Sequence, residues 1–279
     1  MKLRRELGQH LLVEQGILRR IAMATGAGPD DLIIEIGPGT GNLTRSLLAT
    51  GARVIAIELD ERLADTLERR IGPDPSLTVI RSDILKADLE EIVPESDRPA
   101  LAVGNLPYYI SSAIIFKLLE NRDMFRSIVV LVQKEVGERM ASPPGSRAFG
   151  MLSVFCQAEA ECRILFNVGR DEFRPVPDVD SCLVHLDPLP IGSAGIEDRE
   201  MFELIVHGLF EHKRKTCYNS LRMSMDRGAC AELLPAGSDI EQTVLAAFSE
   251  IGIDGSKRPE QLDVKTIVAL SNYFARRRY

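Results

Sequence analysis

The residues best suited to chemistry follow one another in Gly104-Asn-Leu-Pro-Tyr-Tyr-Ile-Ser-Ser112. The Asn105 side-chain oxygen and the Leu106 main-chain carbonyl are two acceptors on adjacent residues. Together they can take both hydrogens of an exocyclic amine on a purine. That nitrogen is a poor nucleophile because its lone pair is delocalised into the ring, and two acceptors favour a pyramidal form with the lone pair exposed. Pro107 has no amide donor and a fixed φ, so it stiffens the turn and keeps the carbonyl aimed. Tyr108 offers an aromatic face on which a flipped-out base can stack. An amine held this way needs only an electrophile placed in line, so positioning and electrostatics do the work without a side-chain nucleophile. A plain β-turn with a packed tyrosine accounts for Pro107 and Tyr108 but not for an asparagine at that place.

The electrophile has its own candidate site in Ile33-Ile-Glu-Ile-Gly-Pro-Gly-Thr-Gly-Asn42. Gly37, Gly39 and Gly41 turn the chain sharply and let the backbone approach a ligand. A glycine-rich loop alone also fits a ligand-free turn between strand and helix. Glu58, about twenty residues on, suits a carboxylate receiving both hydroxyls of a ribose. Asp83 stands at a third such place. A dinucleotide calls for G-x-G-x-x-G and a phosphate-friendly helix start. Here the order is G-x-G-x-G with the acidic Glu35 just before it, which better suits the cationic amino-acid part of S-adenosylmethionine.

These residues belong at the tips of strands. Between about residues 30 and 135, β-branched runs alternate with helical patterns, as in βαβ units with a parallel sheet. The expected strands are Leu32–Ile36, Arg53–Glu58, Leu77–Ile80, Ala100–Gly104 and Ser127–Val132. The expected helices are Asn42–Thr50, Asp60–Ile71 and Ser111–Glu120. Right-handed crossovers bring every strand's carboxyl end to one edge, where open α/β sheets bind ligands. Cys162–Val168 and Ser181–Leu186 read as late strands pairing antiparallel, since no long helix separates them. The turn-rich stretch after Asp187 marks a boundary. Helical patterns follow over Arg199–His212, Thr216–Met225, Ile240–Ile251 and Val264–Ala275. The reading is an α/β domain over 1–187 and a small helical domain over 188–279.

A chain of 279 residues, 45% hydrophobic and 27% charged, excludes disordered and fibrous classes. It contains no apolar run of membrane-spanning length, and its start does not read as a signal peptide, which points to the cytoplasm. Five scattered cysteines without a C-x-x-C pair argue for reduced, mostly buried thiols and against a disulfide framework or a metal site. A net charge of −7 opposes a nucleic-acid substrate unless basic residues cluster. Two clusters do so: Lys2, Arg4 and Arg5, and Lys213, Arg214 and Lys215 with Arg222 and Arg227. Taken alone, each is as well explained by a solvated face.

The proline-bearing loop Phe173-Arg-Pro-Val-Pro-Asp-Val-Asp-Ser181 makes Phe173 a candidate for the opposite face of the target base, against packing on the core. With this loop the chain resembles the small-subunit branch of the ribosomal RNA adenine dimethyltransferases over nearly its whole length. Gly8-Gln-His-Leu-Leu12 is similar to that family's N-terminal cofactor motif, Glu35 to Gly41 to its glycine loop, and Asn105 to Tyr108 to its catalytic motif. Phe173 to Ser181 fits F-x-P-x-P-x-V-x-S at every fixed position. Leu11 departs from the pattern, where the family usually has Phe. Leu262 to Val268 and Leu270 to Phe274 look closer to archaeal members than to bacterial ones.

The resemblance implies a Rossmann-like class I methyltransferase fold, with a mostly parallel seven-stranded sheet and a small C-terminal helical domain. It implies S-adenosylmethionine as cofactor, contacted by His10, Leu12, Gly37, Glu58, Asp83 and Asn105. It further implies dimethylation of two neighbouring adenosines in a hairpin near the 3′ end of small-subunit RNA, by a monomer acting on a late pre-ribosomal particle. Lys213 to Thr216 with Asn219 to Leu221 resembles the family's basic helix, which makes Lys213, Arg214, Lys215 and Arg222 candidate RNA contacts. The alternatives are a large-subunit adenine methyltransferase, a nucleic-acid-binding assembly or transcription factor that retains the fold, and a nicotinamide dehydrogenase.

Overall fold

A computed structural model describes residues 10–212, 214–228, 230, 233 and 238–277. Lys2, Arg4, Arg5, Gly8, Gln9 and Lys213 lie outside them. The chain divides into two compact units. One holds the residues up to Glu138 together with Ala160–Leu189; the other holds Arg139–Glu159 and the residues from Pro190 onward.

The first unit is built on a seven-stranded sheet. Its strands are β2 (Leu32–Ile36), β3 (Arg53–Glu58), β4 (Leu77–Arg81), β5 (Ala100–Asn105), β6 (Phe125–Gln133), β7 (Ala160–Val168) and β9 (Ser181–Pro188). They lie in the order β4-β3-β2-β5-β6-β9-β7. The five strands from β4 to β6 are parallel, and β9 and β7 complete the sheet antiparallel. The strand Leu-Ile-Ile-Glu-Ile is buried at every position, as a central parallel strand covered on both faces must be. From β2 the chain winds outward to β4, then returns to the other side of β2 to form β5. The order therefore reverses between β2 and β5, and open α/β sheets bind ligands beyond the strand tips at such a reversal. The connecting helices are α2 (Asn42–Leu48), α3 (Glu61–Ile71), a short α4 (Leu89–Ile92) and α5 (Ser111–Glu120). Helix α2 stops at Leu48 rather than Thr50, because Thr50 and Gly51 fold back onto the carbonyls of Leu47 and Leu48.

Three features of this unit lie outside the sequence expectation. Helix α1 (Gln15–Ala24) buries Leu18, Ile21 and Ala22 in the core. Two-residue strands β1 (Leu11–Leu12) and β8 (Phe173–Arg174) pair antiparallel, with Leu12 opposite Phe173. The two late strands do pair antiparallel, but β9 lies inside, between β6 and β7. β7 is therefore the edge strand, with Glu161, Ile164 and Leu165 exposed.

The second unit is helical. It comprises the end of α6 (Lys134–Met140), α7 (Met151–Glu159), α8 (Arg199–Phe210), α9 (Cys217–Arg227), α10 (Ile240–Ile251) and α11 (Val264–Ala275). Asp198, Thr216, Asp239 and Asp263 each cap the helix that follows through a side-chain oxygen. A contiguous 1–187 domain is corrected here for one segment, since Arg139–Glu159 groups with the C-terminal helices. The reason is α7: Phe155 packs edge-on against Phe202 of α8, and Glu159 pairs with Arg199. The five cysteines are free thiols, all buried except the partly exposed Cys162. Among the described residues no helix is long and apolar enough to cross a membrane.

Candidate functional site

The tips of β2, β3 and β5, with the turn after β4, open onto one cleft. His10, Gly37, Glu58, Asp83 and Asn105 line it, as do Leu106, Pro107 and Tyr108. The residues expected to hold a donor and those expected to hold an acceptor thus share one space. The loop after β2 reaches it through Gly37 and Gly39, whose φ angles of 64° and 60° are left-handed, as is the 82° of Gly41. At Gly39 a side chain would also meet Leu11, since a Cβ there would come within 2.8 Å of its Cδ2.

Glu58 ties this loop to the next. Its carboxylate accepts from the Gly39 amide at 3.0 Å and from the Asp60 amide at 2.9 Å. Burial pushes its acidity down even so, raising the pKa against those bonds, and the Asp60 charge adds to the effect. Asp83 accepts from the Leu85 amide at 3.0 Å, which holds its carboxylate in a turn beside the cleft. The sequence reading missed the apolar walls Leu59, Ile84 and Ile114. The first two directly follow the acidic residues Glu58 and Asp83, and that adjacency was the available signal.

Glu35 stands apart. It is 1% exposed, and neither carboxylate oxygen has a hydrogen-bond partner among the described residues. Burial pushes its pKa up to about 8, and the nearby Glu58 charge adds to this. The Thr44 hydroxyl opposes the rise, though without the geometry of a hydrogen bond. Glu35 lines a small cavity with Leu12, Gly37, Asn42 and Asn105. A buried carboxylate left without a partner is costly unless a cation arrives. The ammonium of S-adenosylmethionine is such a cation, so the residues present fit this cofactor: Glu35 would take its amino-acid end and Glu58 its ribose, and Asp83 would face its adenine, as the family resemblance implies.

The acceptor half is stiffened from several sides. Tyr108 is half-buried, and its hydroxyl is hydrogen-bonded to Ser181 Oγ at 2.7 Å. Burial raises the phenol's pKa. The Leu106 amide donates to the Leu131 carbonyl of β6 at 3.0 Å, anchoring the turn on the sheet. The Asn105 Nδ2 donates to the His10 carbonyl at 2.8 Å. The His10 ring stacks on Tyr108, with centroids 5.4 Å apart and planes 24° apart.

Two expected site residues are placed differently. Phe173 is 0% exposed and packs in the core with Leu12, Leu18 and Ile21. Its pairing opposite Leu12 turns it inward, so it offers no face to a base, and the aromatic neighbour of Tyr108 is His10 instead. Leu12 is a core side chain too; its carbonyl accepts from Asn42 Nδ2 at 2.8 Å, so only its backbone could meet a cofactor. Arg214 and Lys215 are exposed between α8 and α9, and Arg222 is partly exposed on α9. All three belong to the second unit, whereas the cleft belongs to the first.

The family model described as ribosomal RNA adenine dimethylase matches residues 1–246. A ribosomal RNA small subunit methyltransferase A from Geobacillus thermodenitrificans is 36% identical over 274 residues, covering 96% of this chain and 90% of the relative. Its counterpart from Bacillus mycoides is 36% identical over 272 residues, with the same coverage. Among solved structures, a dimethyladenosine transferase from Plasmodium falciparum superposes with a TM-score of 0.79 at 29% identity, covering 96% of this chain and 98% of that one. The 23S rRNA methyltransferase ErmE gives 0.64 at 25% identity, covering 95% and 99%. With donor-binding and amine-holding residues in one cleft, and with these similarities along nearly its full length, the chain belongs to the ribosomal RNA adenine dimethylase family.

Proposed function

We propose that this chain dimethylates the N6 amines of two adjacent adenosines in a hairpin near the 3′ end of small-subunit ribosomal RNA, using S-adenosylmethionine. It does so as a cytoplasmic monomer, on a late pre-ribosomal particle. The observation that carries the reading is the shared cleft, where Asn105, Leu106, Pro107 and Tyr108 meet Gly37, Glu58 and Asp83. The likeness to small-subunit methyltransferases supports this substrate over large-subunit RNA.

S-adenosylmethionine, when bound, supplies a methyl group on a positively charged sulfur. The protein's part is to bring an amine nitrogen to that methyl in line. Tyr108, pinned by Ser181, gives an extruded adenine a fixed surface to stack on. Asn105 Oδ1 and the Leu106 carbonyl accept the amine's hydrogens and localise its lone pair. Both lie at the tip of β5, anchored to β6, so little reorganisation accompanies the reaction. Leu59, Ile84 and Ile114 line the same cleft with apolar groups.

The test is to incubate unmethylated small subunits with labelled cofactor and map the modified nucleotides. Two dimethylated neighbouring adenosines near the 3′ end are expected. In a parallel incubation of unmethylated large subunits, label there and none in the small subunits would assign the other substrate, and binding to particles without transfer would make the chain an assembly factor.

A further inference from the structure

An asparagine amide is two-faced: its oxygen accepts and its nitrogen donates. Only one face can receive the hydrogens of an amine. If Asn105 presented Nδ2 to the cleft, donor would meet donor and the amine would be repelled rather than held. The rotamer of this amide is therefore a catalytic requirement, and the two ends are nearly equal in size and shape.

The structure contains a group that decides between them. The main-chain carbonyl of His10 lies 2.8 Å from Asn105 Nδ2. A carbonyl can only accept, so it pairs with the nitrogen and leaves Oδ1 as the end for the cleft. What holds that carbonyl in place is the His10 side chain. Its Nδ1 lies 2.8 Å from the Pro175 carbonyl, again an acceptor only, so Nδ1 carries the proton. Its ring stacks on Tyr108. Downstream, β1 pairs with β8, and the Val13 amide donates to the Glu172 carbonyl at 3.0 Å. The segment is thus strapped across the site, from the Pro175 loop to the tip of β5.

We propose that His10 is a positioning residue: its imidazole, clamped between the Pro175 carbonyl and Tyr108, holds its own carbonyl on Asn105 Nδ2 and so turns the Asn105 oxygen toward the amine. This rests on the methyl-transfer reading above and adds to it a role distinct from contact with the cofactor. Contact alone predicts a weaker KM for the cofactor. Positioning predicts a loss in kcat that saturating cofactor and RNA do not restore, because a misaimed amide fails in the complex itself.

The experiment uses the full chain. His10→Ala removes both clamps and should lower kcat on the order of 10- to 100-fold under saturation, the usual scale for misplacing a catalytic group by about an ångström. His10→Asn keeps a donor the same number of bonds from Cα and should recover most of the rate. His10→Phe keeps a ring but no donor and should fall between them. In cofactor-free, uniformly 15N-labelled protein, the Asn105 side-chain NH2 resonance, identified by its absence in Asn105→Ala, should exchange slowly in wild type and in His10→Asn. In His10→Ala it should exchange fast, while the β5 backbone amides stay protected. Unchanged kcat, a defect confined to the cofactor KM, or equal NH2 protection in His10→Ala would overturn the proposal. The resonance is read without RNA, so a wild-type protein that methylates no small-subunit adenosine would sink the substrate reading and still leave the amide's orientation measured.

Discussion

Asn105 and Glu35 both sit at the carboxyl ends of their strands and serve the site in different ways. Asn105→Ala removes one of two acceptors for the amine. Turnover should drop about 100- to 1000-fold, the scale for losing one preorganised hydrogen-bonding group in an active site. RNA affinity in a filter-binding assay should stay near wild type; near-normal turnover would remove the residue from the reaction. Glu35 is a stability cost in the cofactor-free protein. Its folded pKa of about 8 exceeds the ordinary value of 4.5, so the folded state holds its proton longer than the unfolded chain does. The penalty is therefore absent below about pH 4.5, grows as pH rises, and is complete above about pH 8, where it reaches on the order of 5 kcal/mol. Glu35→Gln should raise the melting temperature of the cofactor-free protein clearly at pH 8.5 and little at pH 5, while weakening cofactor binding. Equal shifts at both pH values would show that this carboxyl does not titrate with folding.

At the scale of elements, the site depends on how closely β2 and β5 approach. At Gly104 an added Cβ would come within 2.7 Å of the Ile36 carbonyl oxygen and 3.2 Å of the Ile36 Cβ. The obstacle is backbone in a paired parallel ladder, which cannot move aside without breaking hydrogen bonds. Gly104→Ala should cost about 1–3 kcal/mol in urea unfolding, as overpacking does, and should lower turnover because Asn105 is the next residue. A variant as stable and active as wild type would mean that the strands tolerate more separation here. The expected strands appear within a residue or two, because runs such as Leu-Ile-Ile-Glu-Ile can only be covered strands and their ends carry the polar residues. The β1–β8 pair was not legible: two residues on each side carry no periodicity, and the pairing depends on the loop that brings residue 173 to residue 12.

For the whole molecule, the question is how a chain of net charge −7 binds RNA. The candidate contacts Arg214, Lys215 and Arg222 lie in the helical unit, with Lys213 beside them in sequence. Replacing Arg214, Lys215 and Arg222 with Ala should weaken RNA binding and flatten the plot of log affinity against log salt by up to about 2–3, since each lost phosphate contact removes roughly 0.7–0.9. Cofactor affinity, measured by calorimetry, should not change. An unaltered salt slope would make these residues an ordinary solvated face.

Read alone, the sequence yields the family, the seven strands and the residues at their tips, because hydrophobic period, chain direction and short motifs are local properties. Turn formers after Asp187 interrupt the pattern, and the chain passes from one compact unit to the other between Leu189 and Pro190. What only tertiary structure decided is which side chains face the cleft and which face the core. Phe173 turned inward, Arg139–Glu159 joined the helical unit, and Glu35 was left without a hydrogen-bond partner among the described residues, none of which a local pattern of sequence shows. His10 reaches the site through contacts spanning 95 residues to Asn105 and 165 to Pro175. No window of sequence contains both ends of such a contact; folding must bring them together before the amide of Asn105 has a direction.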